Sequence, residues 1–236
     1  MKLTILGNNG PFAKAGGACS SYLLQNAGKN AVIDMGPGSL AVLQKYIDIR
    51  DIDAIIFSHL HYDHMSDVFS LKYALGLLRA REGFDKKIRL FLPKTPENCS
   101  LEISNDDSFE VNYIFDSFKE NIIGLNAAFF SMTHPVETYA VLFEECAKRF
   151  VYSGDTTLND KISDVAKGAE LYLVDGGLLK IHEGGPHMTV AQACKTASYA
   201  KKTVVTHLSP LYLENDIKRE LTGNAVLAQI GQQFEI

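Results

Sequence analysis

His59-Leu60-His61-Tyr62-Asp63-His64 puts four potential metal ligands into six residues. The stretch follows directly on Ala54-Ile55-Ile56-Phe57, a short β-branched and apolar run that fits a buried strand. The cluster therefore belongs to a loop at that strand's C-terminal end. In an extended or turning loop His59 and His61 point the same way, while Asp63 and His64 reach a neighbouring point. Such a set suits two adjacent ions better than one tetrahedral ion, and imidazole with carboxylate favours zinc, with manganese or iron as alternatives. A single histidine after a strand is more often structural; three histidines and an aspartate in six residues are not explained that way.

Working outward, three more candidates stand at strand ends: Thr133-His134, Ser153-Gly154-Asp155-Thr156 and Thr206-His207. With the cluster they make seven ligands, enough to hold two metals and leave positions open for water and substrate. Residues 2–6, 20–25 and 30–34 read as strands, the last two joined through Asn26-Ala27-Gly28. Gly36-Pro37-Gly38-Ser39 then breaks the chain ahead of helical spacing over 40–46. Past the cluster, Ser66 is a candidate cap for a helix to residue 81 in which Phe69, Tyr73, Leu77 and Leu78 share a face. Met65, Phe69 and Tyr73 are core or pocket lining. Residues 87–92, 122–132, 138–144, 149–153, 171–174 and 203–206 read as strands, and 158–167, 189–200 and 213–221 as helices. Residues 93–107 read as polar loop and 225–230 as a last strand or helix. Strands come first, then strands alternate with helices, and each polar candidate follows a strand. That order predicts an α/β fold with sheets inside and helices outside.

Composition narrows the function. The 236 residues are 46% hydrophobic and 22% charged, ordinary for a globular protein. A net charge of −5 carries no overall basic footprint of the kind a nucleic-acid binder shows. The densest basic stretch, Arg79, Arg81, Lys86, Lys87 and Arg89, is broken by Glu82 and Asp85; it is a solvated helix end and loop, or a rim for an anionic ligand. Cys19, Cys99, Cys146 and Cys194 form no C-x-x-C pair and read as reduced thiols of a cytosolic protein. Residues 1–7 read as a strand rather than a signal peptide, and no run approaches the roughly 20 apolar residues of a membrane span. The expected compartment is the cytoplasm, without membrane contact. The glycine-rich stretch 7–17 lacks the P-loop lysine and matches neither G-x-G-x-x-G nor Walker A.

His59-x-His61-x-Asp63-His64, followed in order by His134, Gly154-Asp155-Thr156 and His207, resembles the metallo-β-lactamase superfamily over residues 3–209. The resemblance implies an αββα sandwich, two mixed β-sheets packed together with helices on both outer faces, in a single domain over 1–236. It also implies ligand roles: one metal on His59, His61 and His134, the other on Asp63, His64 and His207, and Asp155 bridging both. Two metals roughly 3.5–4 Å apart can share a hydroxide, because zinc lowers the pKa of bound water toward roughly 7. That hydroxide would attack phosphorus or a carbonyl carbon while the metals offset the developing charge. Ser58, Thr133, Thr206 and Asp34 are candidates to orient the imidazoles, with ordinary strand-end capping the alternative for the hydroxyls. Asp34-Met35-Gly36 resembles the family's D-x-G turn behind the metal site.

The resemblance also sorts the chemistry. True β-lactamases of this fold generally lack a bridging aspartate at the position of Asp155, whereas phosphodiesterases and glyoxalase II-like thioesterases carry one. His187-Met188-Thr189-Val190-Ala191 is similar to the H-x-T…A segment of the tRNase Z branch. There the histidine, paired with an acidic residue on the preceding strand, protonates the leaving oxygen, so His187 is the matching general acid. The branch's glutamate falls at Gly176, with Asp175 beside it; a one-residue shift on a strand would turn that side chain to the other face. Asp63, His187 and Asp175 are the catalytic candidates, and His182 is a loop residue near the mouth. The tRNA enzymes carry a long basic arm between the counterparts of His134 and Asp155. Only 20 residues (155 − 134 − 1) separate the two here, room for a hairpin and no arm, which with the acidic charge argues against a full-length tRNA. The expected activity is hydrolysis of a small anionic phosphodiester, such as a cyclic nucleotide or cyclic ribose phosphate, by an enzyme that the resemblance implies is homodimeric. The alternatives are a glyoxalase II-like thioesterase and an iron-dependent redox or non-catalytic accessory protein on the same ligands. Against the thioesterase, only 29 residues (236 − 207) follow His207, too few for the helical domain that holds glutathione in that family.

Overall fold

The computed structural model describes residues 1–180 and 185–236. Two seven-stranded sheets face each other. The first is built from β1 (Lys2–Gly7), β2 (Ser21–Asn26), β3 (Lys29–Ile33), β4 (Ala54–Ile56), β5 (Ile88–Leu92) and β6 (Phe109–Tyr113), with the last strand, β14 (Gln233–Glu235), added at its edge. Its order is β14-β1-β2-β3-β4-β5-β6, antiparallel from β14 to β3 and parallel from β3 to β6. The second comprises β7 (Lys119–Ile122), β8 (Leu125–Ser131), β9 (Tyr139–Glu145), β10 (Lys148–Tyr152), β11 (Ala169–Asp175), β12 (Ala200–Thr206) and β13 (Ala225–Leu227). Here the antiparallel pairs run from β7 to β10 and the parallel pairs from β10 to β13.

Three buried layers follow from the strand alternation. Inward residues such as Leu3, Ile5, Tyr22, Leu24, Ile33 and Ile56 of the first sheet pack on Phe129, Val141, Phe143, Phe150, Tyr152 and Leu173 of the second. The intervening residues face outward, and helices cover them. On the first sheet, Leu23, Val32, Ile55 and Leu90 meet α1 (Ser39–Leu43), α3 (Asp67–Glu82) and α4 (Glu97–Ser104). On the second, Val151, Tyr172, Val174 and Val205 meet α5 (Asp160–Ala166), α6 (Val190–Thr196) and α7 (Glu214–Arg219). Because both faces of the central strands are buried, these strands read as continuous apolar runs. The architecture is the expected αββα sandwich.

Several elements differ from the sequence expectation. α3 buries Val68, Leu71 and Leu75, while Tyr73 and Leu77 lie on its exposed side; the apolar face is rotated from the one expected. Ser66 makes no side-chain cap and instead donates its hydroxyl to the Tyr62 carbonyl within the short helix α2 (Tyr62–Met65). Residues 97–104 of the expected polar loop are α4, and β6 fills a stretch that carried no assignment. The strand expected over 122–132 is two strands, because Ile123 and Gly124 take φ of +50° and +85° and turn the chain between β7 and β8. Three of the basic residues at 79–89 are engaged by other parts of the chain: Arg79 with the Ser108 hydroxyl, Lys86 with Asp53 and Arg89 with Glu120. All four cysteines are free. No helix among the described residues is long and apolar enough to cross a membrane.

Candidate active site

The ends of six strands converge on one edge of the sandwich. Asp34 follows β3, His59 follows β4, His134 follows β8, and Asp155, Asp175 and His207 stand at the ends of β10, β11 and β12. Open α/β sheets bind ligands at the carboxyl ends of their parallel strands, and here both sheets contribute. His61, Asp63 and His64 lie in and just before α2, whose register is set by the turn beneath it. The Met35 amide donates to the His64 carbonyl at 2.6 Å, and Gly36 lies so close that a Cβ there would meet the Asp63 carbonyl at 2.0 Å. Asp34 and His207 both take left-handed backbone, with φ of +55° and +57°. Strain of that kind persists where the surrounding structure imposes it.

Asp155 is the hub. Its Oδ2 lies 3.5 Å from His59 Nε2, 3.3 Å from His64 Nε2, 3.2 Å from His207 Nε2 and 4.0 Å from His134 Nε2. On one side His61 Nδ1 sits 3.1 Å from both His59 Nε2 and His134 Nε2. On the other, His207 Nε2 sits 3.1 Å from Asp63 Oδ2. All seven expected ligands are thus brought together.

The donor set fits metal ions. His59, His61, His134 and Asp155 form one group of mutually close ligand atoms, and Asp63, His64 and His207 another. His134 Nδ1 is 3.0 Å from the Pro186 carbonyl, so it carries the proton and leaves Nε2 as a lone pair aimed at His61. His64 Nε2 and Asp155 Oδ1 are buried with no hydrogen-bond partner, which is costly for polar atoms unless something else satisfies them. Burial holds the His59 imidazole well below its ordinary pKa and lowers those of His61 and His134, so these three present neutral ligand nitrogens. Burial also opposes charge on His64, but the Asp155 and Asp34 carboxylates overcome it and raise its pKa. For Asp155 burial acts upward and is overcome by His207, His64 and His59, which hold the carboxyl well below its usual range.

His187 stands beside this cluster, its ring stacked on His207 with centroids 4.6 Å apart. Its Nδ1 lies 2.9 Å from Asp175 Oδ2. Asp175 is buried and also accepts from the Thr156 and Gly177 amides. The side chain expected to point away therefore points in. Leu171 and Leu173 of β11 face the other sheet, and Asp175 continues that parity. Gly176 faces outward, where a Cβ would strike Val205 at 2.2 Å. Burial pulls the His187 imidazolium down, but the Asp175 carboxylate outweighs it and raises the pKa to about 9.

Of the four groups expected to orient imidazoles, two do. Asp34 Oδ2 lies 2.8 Å from His64 Nδ1, and Ser58 Oγ lies 3.1 Å from His59 Nδ1. Thr206 instead pairs its hydroxyl with Tyr22 at 2.8 Å, and Thr133 engages Thr156 and Thr157 through its backbone. His182 lies outside the described residues. Three contributors carried no expectation: Tyr152, the Pro186 carbonyl, and Gly10, where a Cβ would meet His207 Nε2 at 2.0 Å. Only Tyr152 left a sequence signal, a tyrosine at the end of a strand whose hydroxyl needs a partner once buried.

A two-sheet sandwich carrying this histidine–aspartate cluster on its edge defines a metallo-hydrolase. A β-lactamase superfamily domain matches residues 29–208, and the chain belongs to that superfamily. It is 26% identical over 256 residues to the probable metallo-hydrolase YhfI of Bacillus subtilis, covering all of both chains. The crystal structure of YhfI superposes with a TM-score of 0.93 at 21% identity, covering 99% of this chain and 98% of that one. A diphosphatase of the PhnP family superposes with a TM-score of 0.79 at 21% identity, covering 100% and 97%. Human tRNase Z, short form, superposes with a TM-score of 0.76 at 19% identity, covering 100% and 99%.

Proposed function

We propose that the chain hydrolyses a small anionic phosphodiester. His59, His61 and His134 would hold one divalent ion and Asp63, His64 and His207 a second, with Asp155 shared between them. Divalent ions held there would supply Lewis acidity, activating water and offsetting negative charge that develops at phosphorus. The chain's own residues shape the remainder. Asp34 and Ser58 fix the imidazoles, and the stacked rings of His187 and His207 keep the acid against the cluster.

The observation that carries the reading is the His187–Asp175 pair at 2.9 Å. An alkoxide is a poor leaving group and needs a proton as the P–O bond breaks, whereas a thiolate departs without one. A histidine kept protonated by a buried carboxylate at the mouth of the cluster is a device for the first case. That a diphosphatase and a tRNase Z share the fold supports chemistry at phosphorus. β9 and β10 are joined directly through Cys146 and Ala147, and this tight hairpin, with no arm to grip a folded RNA, favours a small substrate.

The test is elemental analysis of the purified protein, paired with hydrolysis of bis-p-nitrophenyl phosphate and of a simple thioester in zinc and in manganese. About two ions per chain with metal-dependent phosphodiester turnover is the expected result. Thioester turnover alone would move the assignment to an acyl hydrolase, and a chain that takes up no metal would overturn it.

A further inference from the structure

Asp34 is fully buried and accepts four hydrogen bonds. Ser58 N donates to Oδ1 at 2.8 Å; Ser58 Oγ, Tyr152 OH and His64 Nδ1 engage Oδ2 at 2.9, 2.8 and 2.8 Å. The proton inventory follows from these partners. Ser58 has one hydroxyl proton and gives it to Asp34, so at 3.1 Å it accepts from His59 Nδ1. His64 likewise presents Nδ1–H to Asp34. In the singly protonated form that a metal ligand takes, both imidazoles thereby turn the Nε2 lone pair toward Asp155. One carboxylate sets the lone-pair direction of a ligand in each of the two metal groups.

Three of the four bonds to Asp34 come from the same sheet, from Ser58 and His64 in the segment after β4. Tyr152 is the exception. It ends β10 in the opposite sheet and reaches across the core, with its ring 5.0 Å from that of Tyr22. Tyr22 crosses the other way, from β2 to the Thr206 hydroxyl at 2.8 Å, one residue before His207. The two tyrosines form a reciprocal clasp beneath the cluster.

We infer that Tyr152 is a positioning residue for the metal centre, an assignment that rests on the metal reading proposed above. Its phenol locks Asp34, and through Asp34 it orients His59 and His64 relative to the ligands carried by the second sheet. Groups that orient metal-bound imidazoles are worth roughly 10–100-fold in metal affinity. Tyr152→Phe keeps the ring and removes only the donor. Tyr172→Phe is the matched control: Tyr172 is also fully buried, but its hydroxyl faces Thr196 in the helix layer of the second sheet.

The experiment measures zinc affinity by chelator competition for wild type and both variants, together with the d–d absorption of the cobalt-loaded proteins and Tm in excess chelator. Tyr152→Phe should bind zinc up to about 10-fold more weakly than Tyr172→Phe, the low end of the range for direct partners because the phenol acts through Asp34, and show an altered cobalt spectrum, with chelator-treated Tm values alike. Affinities within threefold of each other and matching spectra would overturn the role of Tyr152 and leave the metal site standing. Wild type that binds no zinc would instead defeat the metal reading itself. Should Tyr152→Phe fail to fold, 3,5-difluorotyrosine at position 152 keeps the clasp and makes its phenol a stronger donor. Zinc affinity must then change from wild type, and an unchanged value overturns the proposal.

Discussion

At the scale of single residues, His61 and His187 make opposite demands. His61 Nδ1 faces two other imidazoles at 3.1 Å, so His61→Ala should lose metal and turnover together, read by elemental analysis beside an activity assay. His187→Ala should keep the metals and lose the acid. The loss should depend on the leaving group: on the order of 10²–10⁴ in kcat for an aliphatic ester, and much less for p-nitrophenolate, which needs no proton. Equal losses on both substrates would remove the acid role. The pH profile carries the same sign. The Asp175 carboxylate raises the pKa of His187, so the acid is present below that pKa and activity on the aliphatic ester should fall as pH rises through it. This alkaline limb should vanish in His187→Ala. The ligands were legible because four of them lie within six residues and the others follow strands. Which side of β11 Asp175 faces was not, since alternation gives parity but not which parity meets the partner sheet.

At the scale of elements, the missed helix and edge strands share a cause: burial that is not carried by large apolar residues. α4 buries Cys99, Ser100 and Ile103, a face with one large apolar side chain and so no visible period. β7 is a polar edge strand and β14 only three residues long, paired with β1 from the far end of the chain. In α3 the alternative stripe of Phe69, Tyr73 and Leu77 competes with the true one, and nothing local decides between them. Leu75→Ala should therefore cost about 2–5 kcal/mol, while Tyr73→Ala, at an exposed position, should cost well under 1 kcal/mol. Denaturant melts of both variants check the rotation, and equal losses would restore the other face. The glycine-rich stretch after β1 has a specific task as well. Gly10→Ala would drive a methyl into the His207 ring, so zinc content should drop with only a modest change in the Tm of the metal-free protein.

At the scale of the molecule, the ligand set is divided between the two sheets. His59, His61, Asp63 and His64 follow β4 of the first, while His134, Asp155 and His207 follow β8, β10 and β12 of the second. An α/β fold with sheets inside and helices outside was legible from apolar runs and element order, but the two-sheet αββα layering and the pairing that brings these distant segments together were supplied by the family resemblance. Ions held by both halves would act as a brace across the sheet interface, where buried polar atoms otherwise lack partners. An ion bound by the native chain and not by the unfolded one adds RT ln(1 + [L]/Kd), about 2.7 kcal/mol at a hundred times Kd. For a chain of 236 residues that is a rise in Tm of roughly 5–11 °C per ion. Scanning calorimetry of chelator-treated and zinc-loaded protein should show this rise in wild type and in His187→Ala. In His61→Ala, with one group of ligands broken, the rise should shrink. A Tm indifferent to zinc in all three would mean that the sheets are braced without ions and that the cluster does not bind them.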